Sequence, residues 1–157
     1  MIITHASVAD LDGILALEQD GFAREEQWSP TAWAEELTAE DRCVLAHTDS
    51  DGQILGVATF SCAEDMADLN RVIVHPQARG RGVGASLLRA GLEWAQALGA
   101  TRMLLEVRKD NASALSLYRR LGFDQISLRQ DYYGPGRDAV VMLRPIEGEE
   151  DEWALGR

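Results

Sequence analysis

The 157 residues carry 15 basic and 26 acidic side chains, a formal charge of −11, which excludes a nucleic-acid binder relying on overall charge, because phosphate neutralisation needs clustered Lys and Arg. Hydrophobic residues make up 46% of the chain, enough for one ordinary core at single-domain length. Two cysteines, Cys43 and Cys62, without a C-x-x-C pair argue against a disulfide scaffold or a metal site, and the absence of a basic leader or of roughly 18 consecutive apolar residues argues against secretion or a membrane partner, so a cytoplasmic protein is expected.

In chain order, residues 1–6 read as a short strand. Ser7-Val8-Ala9-Asp10 then has the form of a capping box ahead of Ile14, Leu15 and Leu17, so a helix follows. Ser29-Pro30 places a capping side chain before a proline tolerated at the first helical position and opens a second, short helix over 31–37. Residues 43–47 and 54–61 read as strands, and Asp51-Gly52 between them predicts a tight hairpin turn. Residues 68–74 supply another strand, in which Val72, Ile73 and Val74 form an apolar run suited to a sheet interior. Beyond the glycine-rich segment 75–84, Val83, Leu87, Trp94 and Leu98 recur at helical spacing, and Gly99 marks the stop. Residues 102–107 form a strand. Asn111 caps the next helix, whose Ala114, Leu117, Tyr118 and Leu121 share one face and which Gly122 ends. Strands over 123–128 and 139–143 flank a turn at Tyr132-Tyr133-Gly134-Pro135-Gly136. The order β-α-α-β-β-β-α-β-α-β-β, without repeat or linker, predicts one α/β domain over 1–146, and the acidic tail 147–157 is expected to be mobile.

Charge is spread unevenly along this order. Residues 1–68 hold 15 acids and 2 bases, residues 69–144 hold 6 acids and 12 bases, and residues 145–157 hold 5 acids and 1 base. A block of one sign is either a solvated face or a partner surface. The basic middle block points to an anionic ligand.

The glycine loop offers a place for one. Gly80, Gly82 and Gly84 free the backbone to turn sharply and aim its N–H groups outward without interference from Cβ, at the start of a helix whose unpaired N–H groups and dipole favour an anion such as pyrophosphate. Arg79 and Arg81 add positive charge. Gly80-x-Gly82-x-x-Ala85 also fits the dinucleotide fingerprint, with Glu106 placed about twenty residues on as a ribose-binding acid. Three features argue against that fold: five residues separate the strand from the first glycine, a hairpin precedes the loop, and only 73 residues follow Gly84; NAD binding would revive it. A P-loop is excluded because no Gly-Lys-Ser/Thr follows.

Arg79-x-x-Gly82-x-Gly84 resembles the Q/R-x-x-G-x-G/A acetyl-coenzyme A signature of the GNAT acetyltransferases, and the element order over about 1–144 resembles that fold. The stretch from Leu104 to Phe123, together with Trp28-Ser29, Tyr132-Tyr133 and Asp138-Ala139, is similar to the bacterial ribosomal-protein alanine N-acetyltransferases within that superfamily. The resemblance implies a single-domain fold with a mixed central sheet of six to seven strands and about four helices. It also implies acetyl-CoA as co-substrate and a protein N-terminus as acceptor. By the same resemblance, Val72, Ile73 and Val74 offer backbone groups to the acetyl-pantetheine arm. Arg79, Gly80, Arg81, Gly82, Val83 and Gly84 hold the pyrophosphate, and Asn111 bonds the coenzyme arm. Glu106 matches the proton acceptor and Tyr118 the proton donor. Arg71 departs from the pattern, since the best-known members of that type carry a neutral polar residue there.

Each residue type suits its implied role. Acetyl transfer needs a neutral nitrogen, and an α-amine with a reference pKa near 8 gives up its proton to a carboxylate through a water at modest cost. Tyr118 can protonate the departing thiolate; read by spacing alone, it is as well a core residue with its hydroxyl at the rim. Glu106 has a structural reading too, as an ion partner of Arg108. Trp28, Tyr132 and Tyr133 either wall an acceptor slot or complete a packed rim. An acidic N-terminal half would favour a cationic amine or a basic peptide. The other functional readings are acetylation of a lysine side chain or a small amine, and a catalytically silent acyl-CoA-binding module.

Overall fold

A computed structural model describes residues 2–147; the tail over 147–157, expected to be mobile, lies, apart from Glu147, outside the described residues. The first strand, β1 (Ile2–His5), is followed by the capping box, in which Ser7 N donates to Asp10 Oδ2 at 2.9 Å and Ser7 Oγ accepts from Ala9 N at 3.3 Å. The box closes a single 3-10 turn, Val8–Asp10, and helix α1 (Leu11–Gly21) continues directly from it. Helix α2 (Pro30–Thr38) starts where Ser29 Oγ accepts from Ala32 N at 3.0 Å, with Pro30 in the first turn as expected. Strands β2 (Arg42–Thr48) and β3 (Ile54–Ala63) form the hairpin.

Its turn is not the tight two-residue one that Asp51-Gly52 predicts. The last pair is Thr48↔Ile54, and Asp49 Oδ1 accepts from both Asp51 N and Gln53 N at 2.9 Å. An aspartate that collects two backbone donors stabilises a five-residue loop over a two-residue one.

The chain continues through β4 (Met66–Val74), α3 (Val83–Ala97), β5 (Arg102–Arg108), α4 (Ala112–Arg120), β6 (Asp124–Arg129) and β7 (Ala139–Pro145). Seven strands in the order β1-β2-β3-β4-β5-β7-β6 make one sheet. It is mixed, with β4 parallel to β5 and β1–β2, β2–β3, β5–β7 and β6–β7 antiparallel. This is the expected α/β architecture with four α-helices.

The described residues cluster into two compact units, 2–61 with Asn70–Trp94, and Cys62–Leu69 with 95–147. In the first, Ile14 and Leu17 of α1, Trp33 of α2 and Val44, Val57 and Ile73 of the strands build a core against which Phe22, Trp28 and Ile54 pack. Burying side chains of this size stabilises by roughly 1.5–3 kcal/mol each. A Cβ on Gly56 would lie 2.7 Å from Val83 Cγ1 and 3.2 Å from Ile73 O. The absence of a side chain there is what lets α3 lie against β3.

In the second unit, Leu115 and Tyr118 are the buried residues of α4, flanked by half-buried Ala114, Leu117 and Leu121. The apolar face is therefore centred slightly off the one read from the sequence. Tyr118 meets Phe123 edge-on, with ring centroids 6.1 Å apart. Among the described residues no helix is long and apolar enough to cross a membrane.

Candidate active site

The glycine loop belongs to the first unit. β4 ends at Val74, and Ile73 buries its side chain in the core while Val72 and Val74 are half buried, so what this run can offer a ligand is its backbone. A 3-10 turn, Pro76–Ala78, follows, with His75 Nδ1 accepting from Gln77 N at 3.1 Å. Gly80 and Gly82 have φ of +79° and +81°, a region that side-chain-bearing residues rarely enter. A Cβ on either would meet nothing within 4 Å. Both are glycine for backbone conformation, and the space beside them is open to a ligand. Gly84 differs, for it is buried in the first turn of α3.

Val83 opens α3, and the bond from Ser86 N to Gly82 O at 3.0 Å is its first intrahelical one. The N–H groups ahead of Ser86 therefore point out of the helix end, where the dipole is positive. Arg79 and Arg81 are exposed on the same loop, Arg79 Nε lying 3.4 Å from Val74 O. Open space, outward N–H groups and two guanidinium groups fit a pyrophosphate.

Just before Val72, Arg71 makes a cluster that the sequence reading missed. Its Nε donates to Glu18 Oε1 at 2.8 Å and its Nη2 to Glu18 Oε2 at 2.5 Å, while Nη2 also donates to Glu26 O at 2.9 Å. Trp33 Nε1 donates to Glu18 Oε1 at 2.8 Å. The guanidinium lies 3.7 Å from the Phe22 ring centroid and 4.9 Å from that of Trp28, and Trp28 in turn sits 5.0 Å from Trp33. Trp28 is thus half buried in packing as well as placed on the connection between α1 and α2. A signal for the cluster was available: Glu18 falls on the apolar face of α1 with Ile14 and Leu17, where an unpaired charge is costly.

In the second unit, Glu106 lies on β5 with its side chain one-third exposed and paired to Arg129 Nη1 at 2.7 Å. Arg108, the alternative partner read from the sequence, grips Asp110 instead, at 3.1 and 2.9 Å. The Arg129 guanidinium rests 4.2 Å from the Tyr132 ring centroid, and Tyr132 meets Tyr133 edge-on at 5.1 Å. Asn111 caps α4 with Oδ1, which accepts from Ala114 N at 3.2 Å. The cap uses the carbonyl oxygen, so the carboxamide NH2 is what Asn111 can offer a ligand.

Burial, with the Tyr133 phenol adding to it, pushes the Tyr118 hydroxyl well above the ordinary range of tyrosine. A hydroxyl of that kind keeps its proton through alkaline pH. Ultraviolet titration should show one tyrosine fewer ionising near pH ~10 than composition predicts, and Tyr118→Phe should leave that part of the curve unchanged. Because the folded form holds this proton where the unfolded chain releases it, the associated stability is full below about pH 10 and is lost as pH rises above it.

The thiols are poor nucleophiles. Cys43 is buried and its thiol is pushed up to about 11, and burial raises that of the half-buried Cys62 as well. Thiolates are scarce at neutral pH under such conditions. Among the described residues no group of three or more His, Cys, Asp or Glu is placed to hold a metal ion.

Comparison with known proteins gives these features a setting. Residues 11–123 match the acetyltransferase (GNAT) family. The chain is 35% identical over 141 residues, 87% of each chain, to a Mycobacterium tuberculosis protein named N-alpha-acetyltransferase RimI. It is 33% identical over 151 residues to an uncharacterized protein of Mycobacterium leprae, of whose length it spans 41%. Its fold superimposes with a TM-score of 0.84, at 29% identity and over 94% of this chain and 96% of the other, on the ribosomal-protein-S18-alanine N-acetyltransferase from Escherichia coli.

Proposed function

This chain belongs to the GNAT family of acetyltransferases and is an acetyl-CoA-dependent N-acetyltransferase, and from that premise we propose that its acceptor is the N-terminal α-amine of a protein, acetylated by direct attack within a ternary complex. The observation that carries the choice of acceptor is the similarity, along 87% of both chains, to a protein named for N-alpha-acetylation. A ribosomal protein is the acceptor class that the Escherichia coli structure's name suggests.

In this reading the loop from Arg79 to Gly84 binds the pyrophosphate with backbone N–H groups and two arginines. Backbone groups of Val72, Ile73 and Val74 hold the acetyl-pantetheine arm, and the Asn111 carboxamide bonds the coenzyme arm. Glu106 takes the amine proton through a water, and Tyr118 returns a proton to the leaving sulfur. Trp28, Tyr132 and Tyr133 contact the acceptor, and the acidic residues of the N-terminal half draw a cationic end toward the enzyme.

Direct attack agrees with the thiols, since neither cysteine is suited to carry an acetyl group. Initial rates measured across both substrates, with peptides bearing a free N-terminus, should give intersecting double-reciprocal lines. Parallel lines would replace direct attack by a covalent intermediate.

A further inference from the structure

The carboxylate of Glu106 is held by an arginine that no sequence spacing announces, and the strand pairing explains how it arrives. In β5, β7 and β6, Glu106 pairs with Val141 and Val141 with Ser127, while Arg108 pairs with Ala139 and Ala139 with Arg129. Directly paired residues share a face of the sheet. Glu106 and Arg129 are therefore on one face, a strand apart and two positions along.

That relation depends on one residue. Asp124 and Gln125 pair with Leu143 and Met142, but Ser127, Leu128 and Arg129 pair with Val141, Val140 and Ala139, so Ile126 is an extra residue in β6. A one-residue slip moves every later side chain to the opposite face. Were Ile126 paired in regular register instead of bulged out, Leu128 would oppose Ala139 and Arg129 would turn away from Glu106. Ala139, fully buried, is the β7 residue paired with Arg129.

Arg129 also has a second seat. Its guanidinium is half exposed and already rests on the Tyr132 ring, so it can leave the carboxylate and keep a cation–π partner. The geometry points to Arg129 as a positioning residue that occupies the carboxylate of Glu106 at rest and yields it to the acceptor's ammonium group with the water that bridges them, so that acceptor binding exchanges the cation that faces Glu106. This rests on the reading of Glu106 as the proton acceptor. It adds a requirement of its own: the acceptor must arrive as a cation able to displace a guanidinium, which favours an ammonium over a neutral or acidic group.

The test is the acceptor KM of Arg129→Gln, measured with a peptide of free N-terminus at saturating acetyl-CoA. With the resident cation removed, KM should fall about two- to fivefold, the range in which exposed ion pairs contribute, while kcat stays within about twofold. Arg129→Lys, which keeps a cation but not the fork, should return KM toward the wild-type value. In a Glu106→Gln background the same Arg129→Gln change should leave KM where it is. An unchanged or raised KM in Arg129→Gln, or the same fall in the Glu106→Gln background, overturns the exchange. A kcat retained in Glu106→Gln alone would instead overturn the proton-acceptor reading.

Discussion

Arg71→Ala is expected to destabilise the protein by about 3–5 kcal/mol, the range for breaking a buried ion pair and stranding one charge. Among the described residues, Glu18, 1% exposed, would keep only the Trp33 indole as a side-chain partner. The bond to Glu26 O and the guanidinium contacts with Phe22 and Trp28 would be lost in the same step. Denaturant unfolding measures the loss, and hydrogen exchange should rise over residues 22–28. Replacing both partners, as Glu18→Met with Arg71→Met, should recover part of the stability, because an apolar pair of similar volume leaves no charge to solvate, the remaining cost being the Trp33 indole N–H left without its acceptor. Exchange over 22–28 should stay raised in that double variant, since methionine cannot bond Glu26 O. A double variant as unstable as Arg71→Ala would mean that the cost lies in packing rather than charge.

Glu106→Gln is expected to lower kcat by about 10²–10⁴-fold, the usual contribution of a positioned general base. The loss should be greatest toward acid pH, where an α-amine of pKa near 8 is most protonated and most needs an acceptor for its proton. Glutamine keeps the size of the side chain and can still accept a hydrogen bond, so folding should be unaffected. Acetyl-CoA affinity should change by less than about twofold, because the pyrophosphate is proposed to bind the loop from Arg79 to Gly84. Equilibrium binding of the coenzyme and stopped-time assays over a range of pH check both parts. A variant that turns over at the wild-type rate at every pH would move the base elsewhere.

Local chemistry was legible in the sequence where one short segment decides the outcome. Ser29-Pro30 opens α2 and Asn111 caps α4 as read, and the strand, glycine turn and helix from Met66 to Ala97 stand in the expected order. Competition between local bonds was harder to read. Asp49 takes two backbone donors and overrules the Asp-Gly turn. Of the three loop glycines, only Gly80 and Gly82 have positive φ.

Pairings between distant segments were not legible, because spacing carries no register. Arg71 meets Glu18 across 53 residues, and the presence of Glu18 on an apolar helix face was the only hint of it. The alternative partner for Glu106 was Arg108, two residues away. The actual partner is Arg129, brought to that face by one extra residue in an edge strand. Alternation patterns cannot show such an insertion when all six residues of β6 are exposed.

Acetyl transfer to an α-amine is tested most directly by site-resolved mass spectrometry of a peptide that bears both a free N-terminus and an internal lysine, after incubation with the protein and acetyl-CoA. One acetyl group on the N-terminal nitrogen, with the lysine unmodified, is the expected result. Acetylation of the lysine alone, or coenzyme binding without transfer to either nitrogen, would contradict it.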